Sequence, residues 1–476
     1  MGSVALAAER LVDASPEEVF DLFGVGTGVF GAQCDRVAVG SPVTVQVPLA
    51  GTGREDIVQI LGRIVAARRG HKIVIAHDLP WRGRLRCLFD PEDGGRTRVR
   101  LIAEVDPDGL GWLLRYRGWP VEEEPDDGTH RIGLLTSKSG PGGVYAITAE
   151  HMARLAVEEI NADGGLAGRT VRLLVGDDAT DEAVGAAEAL RLASAGCRVL
   201  VACVTSATFQ RVEAALAGSG TLLVHPVVNE GGPGHERLFR LGERPSDQLR
   251  ATVRPLMRAT GARRWFLVGN DYCWSHGAHA SGRREIAARG GGVVGEALRP
   301  LGTREFRPLI DEVARSGAEL ILSTLVGADE VAFERQSHEL GLRGICRTLA
   351  LVLDESTRER IGDEAACGIT TAFGYFQQLP TQANLKFLER YRARFGRHAA
   401  PVSSICESVY EAVHLYARAA HFGDDDVVEV GRRLRRLDLE LPRGRVVLDG
   451  PTTLRQPVMM PAEATVGGYR IEQSGH

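Results

Sequence analysis

Few residues in this chain of 476 have the types and spacing that carry chemistry. Gly26-Thr-Gly-Val-Phe-Gly31 matches the dinucleotide fingerprint letter for letter. That fingerprint works only between a strand and a helix, where pyrophosphate meets the helix amino terminus. Here the glycines follow a helical segment and lead into strands, which predicts a Gly-rich connector. His276 and His279 lie three residues apart on an expected helix and could share a metal, but no third ligand is evident, so pocket-rim or surface histidines are expected. The eight cysteines (34, 87, 197, 203, 273, 346, 367 and 406) include no Cys-x-x-Cys and suit neither a zinc site nor a disulfide framework. Reduced thiols in a cytoplasmic protein are expected, with Cys197 and Cys203 as packing residues at the two ends of one strand. Arg432-Arg-Leu-Arg-Arg436 sits in a helical pattern and reads as a solvated face. A Walker loop, a Gly-x-Ser-x-Gly elbow and a His-Glu-x-x-His motif are all missing from the sequence. No cofactor and no catalytic constellation are expected.

Composition narrows the class further. Apolar residues make up 44% and charged residues 25%, the mix of a soluble globular protein. The formal charge of −5 gives no reason to expect direct nucleic-acid binding. Of 57 basic residues only Lys72, Lys138 and Lys386 are lysine, so arginine enrichment carries little functional weight. No run approaches the ~20 apolar residues of a membrane span. The amino terminus lacks the basic start and long apolar stretch of a secretory signal, and cytoplasmic location is the expectation.

The elements that must position any site fall into two rhythms. Up to about residue 105, one short helix is followed by strands. Ser15-Pro-Glu-Glu18 opens that helix as a capping box with Pro in the first turn. Strand-like runs follow at 43–49, 57–66, 72–77, 83–89 and 97–105, predicting an antiparallel sheet. Leu110–Arg115 is expected to be a short helix. Glu122-Glu-Glu-Pro-Asp-Asp-Gly128 is acidic and turn-rich, as a linker should be. Beyond it, strands and helices alternate from Ile132 to about Leu353, the signature of α/β structure with open parallel sheets. Runs such as Val199-Leu-Val-Ala-Cys-Val204 are near-continuously apolar, as buried parallel strands are. About 350 residues exceed one core, so two α/β lobes are expected.

From about His130 onward the sequence resembles the type I periplasmic-binding-protein family. It looks closest to the branch of urea and short-chain-amide receptors, which includes a cytoplasmic amide sensor. The carrying segments are Ile132-Gly-Leu-Leu-Thr-Ser-Lys-Ser-Gly140, Ala156-Val-Glu-Glu-Ile-Asn-Ala-Asp-Gly-Gly-Leu-Ala-Gly-Arg169, Cys203-Val-Thr-Ser-Ala-Thr208, Val268-Gly-Asn-Asp-Tyr-Cys-Trp274 and Ser323-Thr-Leu-Val-Gly327. The first ~118 residues resemble the START-like helix-grip superfamily through Val12-Asp-Ala-Ser-Pro-Glu-Glu-Val-Phe-Asp-Leu-Phe23. The resemblance implies an α/β fold with two lobes, preceded by a small α+β helix-grip domain. It implies domains at 1–118, a linker at 119–129, and a binding domain at 130–476. Within that domain, lobe 1 would take 130–246 and 375–450, and lobe 2 would take 247–374 and 451–476.

The resemblance also implies a ligand cleft. Ser206, Thr208, His225 and Val227 from lobe 1 and Tyr272, Trp274, Thr324 and Asp354 from lobe 2 are the residues it places there. His225, Val227 and Trp274 depart from the amide-receptor pattern and imply a larger or more apolar guest. The function implied is a cytoplasmic sensor that binds a small polar amide, urea-like or amino-acid-like ligand and signals by hinge closure. Its partner would be a transcriptional or antitermination regulator, with a homodimer as a further option. One alternative is the substrate-binding component of an ABC transporter. Another is an enzyme or lipid carrier acting through the first domain, with His71, His77 and Asp56 as unranked candidates.

Overall fold

The computed structural model describes residues 4–24, 31–49, 56–116, 128–232, 235–420, 426–449, 453–455 and 459–472. The Gly26–Gly31 motif and the acidic linker fall almost wholly outside these residues, as does the side chain of Asp56. The chain divides into two compact units, Met1–Pro125 with Lys138–Gly143, and Asp126–Ser137 with Val144–His476.

The first unit is built on an antiparallel sheet of seven strands. In chain order these are Val4–Val12, Ala32–Gln33, Pro42–Leu49, Asp56–Arg68, Lys72–Leu79, Gly83–Glu92 and Arg96–Val105. The seventh pairs with the first, and the sheet then runs sixth, fifth, fourth, third, second. Period-two burial explains the sheet: in Lys72–Leu79, Ile73, Ile75, His77 and Leu79 are buried and their neighbours are not. Val19, Phe20 and Phe23, from the segment of the helix Pro16–Asp21, pack on that face with Trp81, Phe89 and Trp112. The Val4–Val12 strand escapes sequence reading because its Ala-rich alternation is weak and its residues are exposed on both faces. The capping box forms as expected. Ser15 N–H donates to Glu18 at 2.8 Å, and the Glu18 N–H donates to Ser15 Oγ at 3.4 Å. Ser15→Ala is therefore expected to cost about 1 kcal/mol, read from urea unfolding followed by hydrogen exchange in the strand Lys72–Leu79.

The second unit holds two sheets. Lobe 1 carries an eight-stranded sheet. Its parallel centre is Leu238–Arg240, Leu222–His225, Val199–Cys203, His130–Thr136 and Val171–Asp177, in that spatial order. Lobe 2 carries a seven-stranded sheet. It runs from Gly292–Arg299 through Arg264–Asn270, Leu320–Thr324, Arg347–Ala350 and Thr370–Phe373 to Met460–Thr465 and Gly468–Ile471. The chain passes between the sheets three times, after Arg240, after Phe373 and after Arg455. The last passage corrects the expected boundary at 450/451. Thr453–Arg455 still belongs to the lobe 1 sheet, where Thr453 is the register partner of Arg240. Pairing decides which sheet each strand joins.

Candidate functional site

In open parallel sheets, ligands gather beyond the carboxyl ends of the strands. Lobe 1 presents Thr136-Ser137, Asp178, Thr205–Thr208 and the segment after His225 at those ends. Lobe 2 presents Asp271-Tyr272, the segment after Thr324, and Asp354. Among the contacts between the lobes, Thr357 Oγ1 of lobe 2 donates to Tyr145 Oη of lobe 1 at 3.1 Å, and Gln210 Nε2 of lobe 1 lies 3.6 Å from Cys273 Sγ of lobe 2.

Asp354 is the best-defined acceptor. It caps the helix Glu355–Ile361, with Oδ1 accepting the Thr357 N–H at 2.9 Å. The residue is fully buried, and Oδ2 makes no hydrogen bond. Burial pushes its pKa up to about 6, offset in part by the hydroxyls of Ser403 and Thr357 and by nearby amides. Its charge also reaches Tyr145 and the thiols of Cys203 and Cys406. Burial is the main cause of the rise of Cys203 to about 12. Across from it, Asp178 of lobe 1 is fully buried with Oδ2 unpaired. Burial pushes it up to about 7, offset by the hydroxyls of Ser137 and Thr208 and by the Thr180 amide, whose N–H bonds Oδ1 at 3.1 Å.

Ser206 and Thr208 start the helix Ser206–Ala215, but the cap is Thr205, whose Oγ1 accepts the Thr208 N–H at 3.2 Å. The Ser206 hydroxyl is therefore free of capping duty and donates to Glu230 Oε2 at 2.8 Å. Gln210 Nε2 donates to the other oxygen at 3.3 Å. Tyr272, packed at the edge of the core, feels the Glu230 charge as well, which places Ser206 and Tyr272 around one carboxylate. Trp274 is buried in the core, its ring 6.3 Å from that of Tyr272, and its indole N–H has no partner. Val227 is partly buried against the same core.

Other expected residues face inward within their own lobe. His225 stacks on Phe209 at 4.0 Å, and its Nε2 donates to the Val204 carbonyl at 3.1 Å. Nδ1 then carries the lone pair, without a partner. Burial lowers the His225 pKa to about 4, so the ring is neutral. Thr324 bonds His279 Nε2 at 2.9 Å beneath the lobe 2 sheet, and its carbonyl accepts the Ser275 hydroxyl at 3.0 Å. His279 Nδ1 meets Glu296 at 2.7 Å while His276 meets Asp271 at 3.0 Å, so the two histidines serve separate carboxylates. Among the described residues no group of three metal-ligating side chains assembles.

Sequence reading missed Tyr145, Asp178 and Glu230. Asp177-Asp178 at the carboxyl end of a parallel strand is a usable signal, because ligands in open α/β sheets bind beyond those ends. Tyr145 carried no such mark.

A two-lobed α/β unit, joined by three passages and lined by hydroxyls and acids where its strand ends meet, defines a class of hinged binding proteins. The periplasmic binding protein model matches residues 129–465, and the chain belongs to that family. It is 26% identical over 213 residues to the Leu/Ile/Val-binding protein BraC3 of Rhizobium johnstonii, covering 44% of this chain and 58% of that protein. It is 28% identical over 281 residues to the Leu/Ile/Val-binding protein homolog 8 of Brucella abortus, covering 53% of this chain and 68% of the relative. The chain thus spans a little over half the length of the first of these. Its fold is similar to a periplasmic binding protein from Burkholderia mallei, with TM-score 0.66 and 18% identity over 72% of this chain and 94% of the other. It is also similar to the branched-chain amino acid transporter substrate-binding protein LivJ of Streptococcus pneumoniae in complex with isoleucine, with TM-score 0.62 and 20% identity over 72% of this chain and 99% of the other. These named relatives are binding proteins.

Proposed function

We propose that this chain binds a small amino-acid-like molecule between its two lobes, as the substrate-binding component of an ABC-type transporter. The observation that carries this reading is Asp354, a fully buried carboxyl at the lobe boundary whose Oδ2 has no partner. A buried acceptor left unpaired costs roughly 1–3 kcal/mol, and a ligand ammonium or amide N–H repays that cost. Ser206 and Thr208 supply hydroxyls from lobe 1, and Tyr145, Tyr272 and Trp274 supply aromatic walls. The named relatives support an amino acid as the guest.

Isothermal titration with L-leucine, L-isoleucine, L-valine, acetamide, urea and benzoate tests the proposal. Binding of at least one amino acid, lost in Asp354→Ala, is the expected result. A folded protein that binds none of the three amino acids overturns it.

A second reading places the protein in the cytoplasm as a sensor for an amide or amino acid, passing closure to a regulator. The observation favouring it is that Cys87, Cys203, Cys273, Cys346, Cys367 and Cys406 are free thiols, which suits a reducing compartment. Cell fractionation separates the two readings. The antiparallel sheet of the first unit, with its short helices after the first and last strands, supports the helix-grip reading of residues 1–118.

A further inference from the structure

The passages between the lobes run beside an unusual charge cluster. Glu243 lies in the first passage, between the strand Leu238–Arg240 and the helix Pro245–Thr260. Its Oε1 accepts the N–H of Gly374, in the second passage, at 3.1 Å. The same oxygen accepts the Ser404 hydroxyl at the start of the helix Ser404–Ala420. One carboxylate thus links two of the three passages to lobe 1. Arg443, at the turn between the strands Asp438–Leu441 and Gly444–Asp449, approaches from behind, with Nη1 3.8 Å from Glu243. Its Nη2 reaches Glu407 at 2.8 Å and its Nε reaches Glu411 at 2.8 Å. All four side chains are wholly buried.

Three carboxyls around one guanidinium cannot all be ionised in a dry site. Burial, reinforced by the neighbouring Glu411 charge, raises the Glu407 carboxyl above the ordinary range, and burial raises Glu411 as well. Tyr375, in the second passage, faces the same charges. A buried ionic cluster of this kind adds little stability over well-packed apolar residues, and its best-attested use is to fix register or a switch. Its position says which register is fixed.

We propose that Glu243, held by Arg443 and Ser404, is a clasp on the hinge: it couples the first and second passages and so sets how freely the lobes open. Glu243 acts as a positioning residue, through the passages it joins. The proposal does not depend on which molecule the cleft takes.

Hydrogen exchange and small-angle scattering on the full, ligand-free chain test it. In Glu243→Ala, exchange at the Gly374 amide should rise about tenfold, the loss of one hydrogen bond to a charged acceptor. The strands Val199–Cys203 and Leu320–Thr324 should keep their protection, and the radius of gyration should increase. Glu243→Gln retains an acceptor for Gly374 but loses the attraction to Arg443, so its exchange should rise by less, and it serves if the alanine variant does not fold. Equal acceleration in the lobe strands, or unchanged exchange at Gly374, overturns the clasp.

Discussion

Replacing Arg443 by alanine is expected to lower the unfolding free energy of the binding unit by about 3–5 kcal/mol, the usual cost of stripping the partner from a buried ionic group. Three wholly buried carboxyls, those of Glu243, Glu407 and Glu411, lose the guanidinium that all three share within 4 Å. The hydroxyl of Ser408, which also accepts from Arg443, loses that bond. Urea unfolding, followed by hydrogen exchange in the strand Val199–Cys203, gives the change in midpoint. The slope should stay constant if the native surface is unchanged. Arg443→Met combined with Glu407→Gln and Glu411→Gln should recover part of the loss, because it removes most of the stranded charge along with the cation. If the triple variant were no more stable than Arg443→Ala, lost packing and not stranded charge would account for the effect.

How much of this architecture the sequence discloses depends on what kind of signal each feature leaves. The parallel strands His130–Thr136, Val199–Cys203, Leu222–His225 and Leu320–Thr324 are legible because full burial writes itself as near-unbroken apolar runs, whereas Leu238–Arg240, at three residues, is too short to show one. The helix at Pro16–Asp21 is legible because a capping box is a local pattern of four residues. The Val4–Val12 strand is not, since its register runs from Val12 opposite Thr97 to Val4 opposite Val105, far along the chain, and alanines mark neither face. The site shows the same division. Ser206, Tyr272 and Asp354 are legible as residues beyond strand ends because each follows an apolar run that reads as a strand. Tyr145 is not, because its role comes from Thr357, 212 residues further on. Arg443 is hidden for another reason. In a chain whose basic residues are almost all arginine, one more arginine before a glycine carries no signal until Glu243, Glu407 and Glu411 are seen around it. Glu230 likewise takes meaning only from the Ser206 hydroxyl and Gln210 amide that converge on it.

Ligand affinity should fall about tenfold between pH 7 and pH 5 if an ammonium group is what Asp354 receives. With its carboxyl at about 6 in the ligand-free protein, about nine-tenths is ionised at pH 7 and about one-tenth at pH 5. Only the ionised form attracts a cation, so affinity follows that fraction. A ligand that favours the carboxylate must also expel the proton, so at pH 6 about half a proton should leave per ligand bound. Titration in two buffers of different ionisation enthalpy measures this directly. Asp354→Asn should weaken binding by about 2–5 kcal/mol, the cost of truncating one side of a buried charged pair. It should also flatten the pH profile below pH 6. Asp178, at about 7, is another acid at a strand end whose titration reaches this window and whose Oδ2 has no hydrogen-bond partner. Asp178→Asn therefore serves as the control. If Asp354 is the receptor, this variant keeps the fall between pH 7 and pH 5, whereas a profile flattened by Asp178→Asn and unmoved by Asp354→Asn would transfer the role to lobe 1.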